Sequence, residues 1–184
     1  MAGRLEMPLD SRRYVGYHGT STEYAQQTLR TKRFHRAVNP WDWLGHGIYF
    51  WENNLDRAIL WAKDHYGANA AVLRCEIDLM RCLDLSNAAH VDSVRVAYNR
   101  LARAFATEGR SLPVNTEKNR ALDCLVLNYL ADKCLRIDTV RCPFHEGLPI
   151  FEGSQLLNLT HIQLVVRSEE AIKSEPVLCF PENR

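Results

Sequence analysis

Two helix-period segments follow one another with no strand between them, and strands return only afterwards. Residues 91–109 ("VDSVRVAYNRLARAFATEG") put Val94, Tyr98, Leu101 and Phe105 on one helical face and stop at Gly109. Residues 118–134 ("KNRALDCLVLNYLADKC") read as a second, more buried helix. A doubly wound parallel sheet needs strand and helix to alternate, and here that alternation breaks. The order predicts an α+β fold around a largely antiparallel sheet.

The remaining segments fit that frame. "RRYVGYHGT" reads as a strand ending at Gly19, and "STEYAQQTLRTKR" as a helix with a serine or threonine cap. "FHRAVNPWDWLG" is a loop broken at Asn39-Pro40, and "HGIYFWE" is a short apolar strand. "NLDRAILWAKDHYG" places Leu55, Ala58, Ile59 and Ala62 on one helical face and closes at Gly67. "AAVLRCEIDL" is a strand with a continuation near "CLDL". "RIDTVRCPF", "GLPIFEGS" and "THIQLVVRS" supply late strands, with "VLCF" a last one.

At 184 residues the chain suits one domain, taken as 1–184. A net charge of +1 gives no bulk basicity for a nucleic-acid binder. The six cysteines at 75, 82, 124, 134, 142 and 179 contain no C-x-x-C pair, and several sit in apolar runs. They imply no metal site. The stretch "MAGRLEMPLDSRR" has no apolar signal core, and no segment approaches the ~18 consecutive apolar residues of a membrane span. The expectation is a reduced, cytoplasmic protein with no membrane partner. G-x-G-x-x-G, P-loop and H-E-x-x-H motifs do not occur.

"YHGTS" at 17–21 and "LGHGIYFWEN" at 44–53 set a histidine and a tyrosine beside glycines on strands. With the helix holding Ala58 and Ala62, this pair resembles the nicotinamide-pocket motifs of ADP-ribosyltransferases of the diphtheria-toxin and poly(ADP-ribose) polymerase branch. The second motif is the more specific, with Gly45, Gly47, Ile48, Tyr49 and Phe50 in the family order. The likeness covers the first third well and the last quarter weakly, and residues 85–135 match nothing in it. It implies a split antiparallel β-sheet core with flanking helices, and NAD as co-substrate in a cleft between two small sheets.

The residue types suit that chemistry. Gly19 lacks a Cβ, so its backbone can approach the nicotinamide amide. His18 would offer ring nitrogens to ribose hydroxyls, and Thr20 or Ser21 a hydrogen bond to the cofactor. Tyr49 would stack on the nicotinamide, worth about 0.5–1.5 kcal/mol beyond burial. Gly45 and Gly47 would let the chain bend around the dinucleotide. The family usually adds a glutamate on a later strand, where it stabilises an oxocarbenium-like centre or activates the acceptor. Here "THIQLVVRS" puts Gln163 at that position, with Glu152 as the reserve carboxylate and Glu146 beside it. Glutamine carries no charge, so single-unit transfer is expected rather than polymer elongation.

Other residues invite blander readings. Trp41, Trp43, Trp51 and Trp61 crowd the second motif, as aromatic core or lid clusters do. Arg74, Arg141 and Arg167 read as solvated strand arginines that would otherwise meet a pyrophosphate. His35 and His46 flank the loop that would cover the cofactor. Asp123 reads as a local hydrogen-bonding group, and His145 and His161 do not assemble a metal site. By the resemblance, the expected function is mono-ADP-ribosyl transfer from NAD to a protein or nucleic-acid acceptor. A compact chain of that kind suits a bacterial toxin or defence effector with an antitoxin or regulator. NAD glycohydrolase activity, or a silent NAD or ADP-ribose binding module, are the rivals.

Overall fold

In the computed structural model, which describes residues 5–181, the chain runs from β1 (Leu5–Glu6) through β2 (Leu9–Ser21), α1 (Thr22–Thr31), β3 (Ile48–Glu52) and α2 (Leu55–Tyr66) to β4 (Ala70–Asp84). The consecutive helices α3 (Ala88–Thr107) and α4 (Ala121–Tyr129) come next. A π-helical turn (Leu130–Cys134) ends α4, and β5 (Leu135–Arg136), β6 (Thr139–Phe144), β7 (His161–Val166) and β8 (Val177–Phe180) complete the order. This is an α+β protein. No helix among the described residues is long and apolar enough to cross a membrane.

The main sheet has six strands in the order β2-β3-β7-β6-β4-β8. Its described pairings are antiparallel except β4 with β6, so the sheet is mixed. The long β4 also pairs with β2 through residues 70–81 before passing to β6 at Cys82–Asp84. The path β2-β3-β7-β6-β4 therefore returns to β2. At Met80 the β2–β4 register shifts and the backbone takes a left-handed φ of 51°, the Met80 N–H donating to Asp78 Oδ1 at 3.1 Å.

Strand alternation sorts the core. Ala71, Leu73, Cys75, Ile77 and Leu79 of β4 face a cluster with Phe34, Phe50 and Leu164. Ala70 and Val72 face the other way, under Ala58 and Ala62 of α2. Leu83, Val140 and Val165 are covered by Ala97 and Leu101 of α3 and Val126 and Leu127 of α4. Residues 85–135 thus build the third cluster. An ion network ties the end of β3 to β6 and β4: Arg141 forks Glu52 at 2.7 and 2.8 Å and reaches Asp84 at 3.2 Å.

Helix caps fall where the residues predict them. Ser21 accepts from Tyr24 N–H at the start of α1, and Gly67 closes α2. Three readings change. The first strand runs past Gly19 to Ser21. Tyr98, expected on the buried face of α3, is 40% exposed, and Ala97 is the buried residue. "GLPIFEGS" forms no strand, only a turn bridged at Pro149 and Leu157. Its apolar side chains Leu148, Ile150 and Phe151 are exposed, so alternation there reflects no buried face.

Candidate functional site

The ladder between β2 and β3 holds two register pairs, Gly16 with Glu52 and Tyr17 with Trp51. One residue further on, the His18 side chain spans the gap instead, with Nδ1 2.8 Å from the Tyr49 carbonyl oxygen. A carbonyl only accepts, so Nδ1 carries the proton and Nε2 of the neutral ring is an acceptor. Phe34 and Phe50 flank the imidazole at centroid distances of 5.4 and 5.6 Å. Burial lowers the His18 pKa from 6.5, the bond to Tyr49 opposes that, and His35 adds to it. The ring is neutral at pH 7.

Gly19 lies just beyond the last ladder pair. Val15 turns both backbone groups toward β3, accepting from Asn53 N–H at 2.8 Å and donating to Asn53 Oδ1 at 3.2 Å. Alternation turns the backbone of Tyr17 and Gly19 the same way, so the Gly19 N–H and C=O face the gap. On its other side a Cβ at Gly19 would stand 3.0 Å from the Ala58 carbonyl oxygen and 3.1 Å from Trp61 Cε3. Glycine here serves the close approach of α2 as well as access from the gap.

The Tyr49 hydroxyl is committed to the turn before its own strand. It accepts from Leu44 N–H at 2.9 Å and donates to the Gly45 carbonyl at 2.8 Å. Gly45 has φ +78° and Gly47 bridges Ala37, so both glycines shape this turn. Burial holds the phenol pKa well above its ordinary value, and it stays protonated. Tyr49 lines the cleft, and its hydroxyl is already paired on both sides.

Gln163 sits directly opposite Trp51 in the β3–β7 ladder. Tyr49, Trp51 and Gln163 therefore share one face of the sheet, while His18 and Phe50 lie on the other. The two sets meet because the β2–β3 ladder stops. There a cleft of about 810 Å³ opens, lined by His18, Gly19, Thr20, Gly47, Tyr49 and Gln163. All four tryptophans also wall it, with His35 on the loop side. Ser21, the α1 cap, is not in the wall.

Glu152 is not brought to the cleft: it is exposed on the turn after Phe151. The neighbouring Glu146 lines the cleft instead, half-buried, with Arg57 Nη2 of α2 donating to Oε2 at 2.6 Å. Arg57 Nε is buried without a hydrogen-bond partner. His161, two residues before Gln163, is buried and stacks on Phe144 at 5.6 Å. Its Nδ1 donates to the Leu159 carbonyl at 2.8 Å, while Nε2 is without a partner. Burial first, then Arg57, lowers its pKa, against the Leu159 bond and Glu146. Arg57 escapes linear reading because its partner is 89 positions away.

Two of the three strand arginines, Arg141 and Arg167, have side chains 11% and 7% exposed and are paired rather than solvated, whereas Arg74 is exposed. Arg141 belongs to the Glu52–Asp84 network, and Arg167 bonds Asp132, Asn128 and the His46 carbonyl. The six cysteines are unpaired thiols, and burial pushes Cys75 and Cys82 up to about 12. Among the described residues no group of three or more His, Cys, Asp or Glu could hold a metal. Comparisons with family models, curated proteins and solved structures find no match to this chain.

Proposed function

We propose that the cleft binds NAD, releases nicotinamide and passes a single ADP-ribose to a macromolecular acceptor. The observation that carries this reading is that His18 and Tyr49, thirty-one positions apart, line one cleft where β2 and β3 separate. A pyridine carboxamide fits between the Tyr49 ring and the gap-facing backbone of Gly19. The amide would exchange hydrogen bonds with the Gly19 N–H and C=O, as one strand exchanges them with the next. His18 Nε2 accepts from a ribose hydroxyl, since Nδ1 is held by Tyr49. The separation of β2 from β3 plays the part of the split sheet that the resemblance implies.

Bond breaking leaves positive charge on the ribose, and Gln163 presents an amide oxygen without formal charge. The wall carries the carboxylates Asp42, Glu117 and Glu146, of which Glu146 is held by Arg57. That arrangement favours one transfer over chain growth. Transfer to water, an NAD glycohydrolase reaction, uses the same pocket and is the second reading.

The test is incubation with NAD labelled in the adenylate moiety, following free nicotinamide, free ADP-ribose and label on macromolecules. Nicotinamide release that falls about 10²–10³-fold in His18→Ala is the expected result. Release by His18→Ala at the parent rate, or no release by the parent, removes the reading. Free ADP-ribose with no labelled acceptor assigns the glycohydrolase instead.

A further inference from the structure

We infer that α4 sets the position of the loop that walls the NAD cleft, and that Asn128 is the positioning residue through which it does so. The inference rests on the proposed binding of NAD in that cleft. Asn39, Trp41, Asp42 and Trp43 of the loop line the cleft, and the loop leads through the turn at 44–47 to Tyr49. Positions 120, 124 and 128 recur at every fourth residue, so Arg120, Cys124 and Asn128 lie on one face of the helix, Arg120 being its cap residue. Each holds a different point of the loop. Arg120 N–H donates to the Trp41 carbonyl at 3.4 Å, and its guanidinium lies 5.2 Å from the Trp43 ring centre. The Cys124 thiol donates to the Asn39 carbonyl at 3.4 Å.

Asn128 holds the turn itself. Its Oδ1 accepts from His46 N–H and from Arg167 Nη1, both at 2.9 Å, while Nδ2 donates to Cys124 Sγ at 3.3 Å. Both lone pairs of the amide oxygen are thus in use. Arg167 Nη1 also donates to the His46 carbonyl at 3.0 Å, so the two side chains grip both backbone groups of one residue. Asp132 braces Arg167 in turn, at 2.9 Å. The Asn128 oxygen also stands 2.7 Å from where a Cβ at Gly45 would lie.

The Tyr49 hydroxyl bonds Leu44 and Gly45 of the same turn. Asn128 therefore holds from outside the turn that Tyr49 holds from within. Open space lies beside this contact. Leu122 and Val126 of α4 and Trp43 of the loop front a second cavity, of about 810 Å³, which shares Trp43 and Glu146 with the cleft. Packing on that flank is incomplete, so hydrogen bonds fix how the loop sits on the helix. Residues 85–135, which match nothing in the resemblance, thereby gain a part in the cleft. Without the His46 bond the turn drifts and carries the Tyr49 ring with it. That ring is the stacking surface for nicotinamide, so NAD binding weakens before bond breaking does.

The experiment measures kcat and KM for nicotinamide release from NAD by the full-length parent and by Asn128→Leu, Asn128→Ala and Asn128→Asp. Leucine and alanine remove the acceptor, whereas aspartate keeps an oxygen for His46 and Arg167. KM is expected to rise at least about tenfold in Asn128→Leu and Asn128→Ala, with kcat within about threefold of the parent. Asn128→Asp is expected to stay within about threefold in both constants. Two acceptor-free variants are used so that a folding defect in one, seen by circular dichroism, leaves the other to decide. An unchanged KM in a folded acceptor-free variant overturns the inference, as does an equal rise in Asn128→Asp. A loss confined to kcat, or failure of both acceptor-free variants to fold, assigns Asn128 to stability alone and overturns it too. In each of these outcomes release by the parent stands, and the proposed function with it. No nicotinamide release by the parent overturns the proposed function, and this inference with it.

Discussion

His18 donates from Nδ1 to the backbone carbonyl of Tyr49 across 2.8 Å, at the point where the β2–β3 ladder ends. A side chain closes the last rung that the backbone leaves open. The same contact fixes the tautomer and leaves Nε2 as the acceptor nitrogen of the ring.

His18→Ala removes this donor and opens a hole between Phe34 and Phe50. Leaving the Tyr49 carbonyl unpaired is expected to cost about 1–3 kcal/mol in denaturant unfolding, plus the lost packing. His18→Phe refills the space without restoring the donor and is expected to recover only part. Equal midpoints for parent and His18→Ala would show that the contact does not hold the strands.

Tyr49→Phe separates the two uses of that side chain. The ring is kept, so quenching of the tryptophans around the cleft by NAD is expected to persist. Leu44 N–H and the Gly45 carbonyl lose their common partner, and stability is expected to drop by about 1–3 kcal/mol. Tyr49→Ala is expected to lose the quenching as well. A Tyr49→Phe protein that is stable yet blind to NAD would assign the hydroxyl, not the ring, to binding.

Gly47→Ala tests the packing of β3 on β7. An added Cβ would collide with Val165 Cγ1 and lie 2.7 Å from the Val166 carbonyl oxygen, which is backbone and cannot swing away. The expected loss is about 1–3 kcal/mol or more. At Gly153, in an open turn where an added methyl meets no neighbour, alanine costs only its left-handed φ, about 1 kcal/mol. Thermal midpoints of the two variants should rank in that order, and the reverse ranking would contradict the strand geometry.

Arg141→Met tests the ion network at the end of β3. Glu52 and Asp84 have side chains 6% and 7% exposed; removing Arg141 leaves Glu52 without its cation, while Asp84 keeps Arg12 at 3.0 Å. Breaking a buried pair from one side costs about 3–5 kcal/mol. A urea midpoint within error of the parent would mean the network is solvated.

Stability should also depend on pH below neutrality. His18 and His161 both have pKa values lowered from 6.5, so the unfolded chain takes up their protons first as pH falls. Their contribution is therefore complete above about 6.5 and declines below it, by up to about 1.4 kcal/mol per pH unit for each ring. Melting temperatures are expected to be flat from about pH 8 to 7 and to fall toward about pH 5.5. His161→Phe, which keeps the stack on Phe144, should make that fall shallower. A fall of the same steepness in His161→Phe would exclude that ring as a contributor.

Much of the architecture follows from local patterns. Ala58 and Ala62 sit at helical spacing beneath a glycine strand, and that is where α2 packs. Ser21 and Gly67 cap helices because a hydroxyl and a missing Cβ do so wherever they fall. "GLPIFEGS" misleads because alternation marks a strand only when a neighbour covers one face, and none covers this segment. Glu152 and Glu146 look equivalent in a row of letters. Only Glu146 meets Arg57, through a contact spanning 89 positions.

Residue spacing along the chain was enough to determine most of the strands, the helices and the two motifs with their histidine and tyrosine. Periodicity and capping are short-range effects, set within one or two turns of chain. The tertiary structure alone decided that β2 and β3 part after two rungs, that side chains from opposite sheet faces meet there, and that Glu146 stands between two cavities. Those facts depend on β4 changing partner after Arg81 and on α3 and α4 closing one side. Long-range packing fixes them, and no local stretch of sequence encodes it.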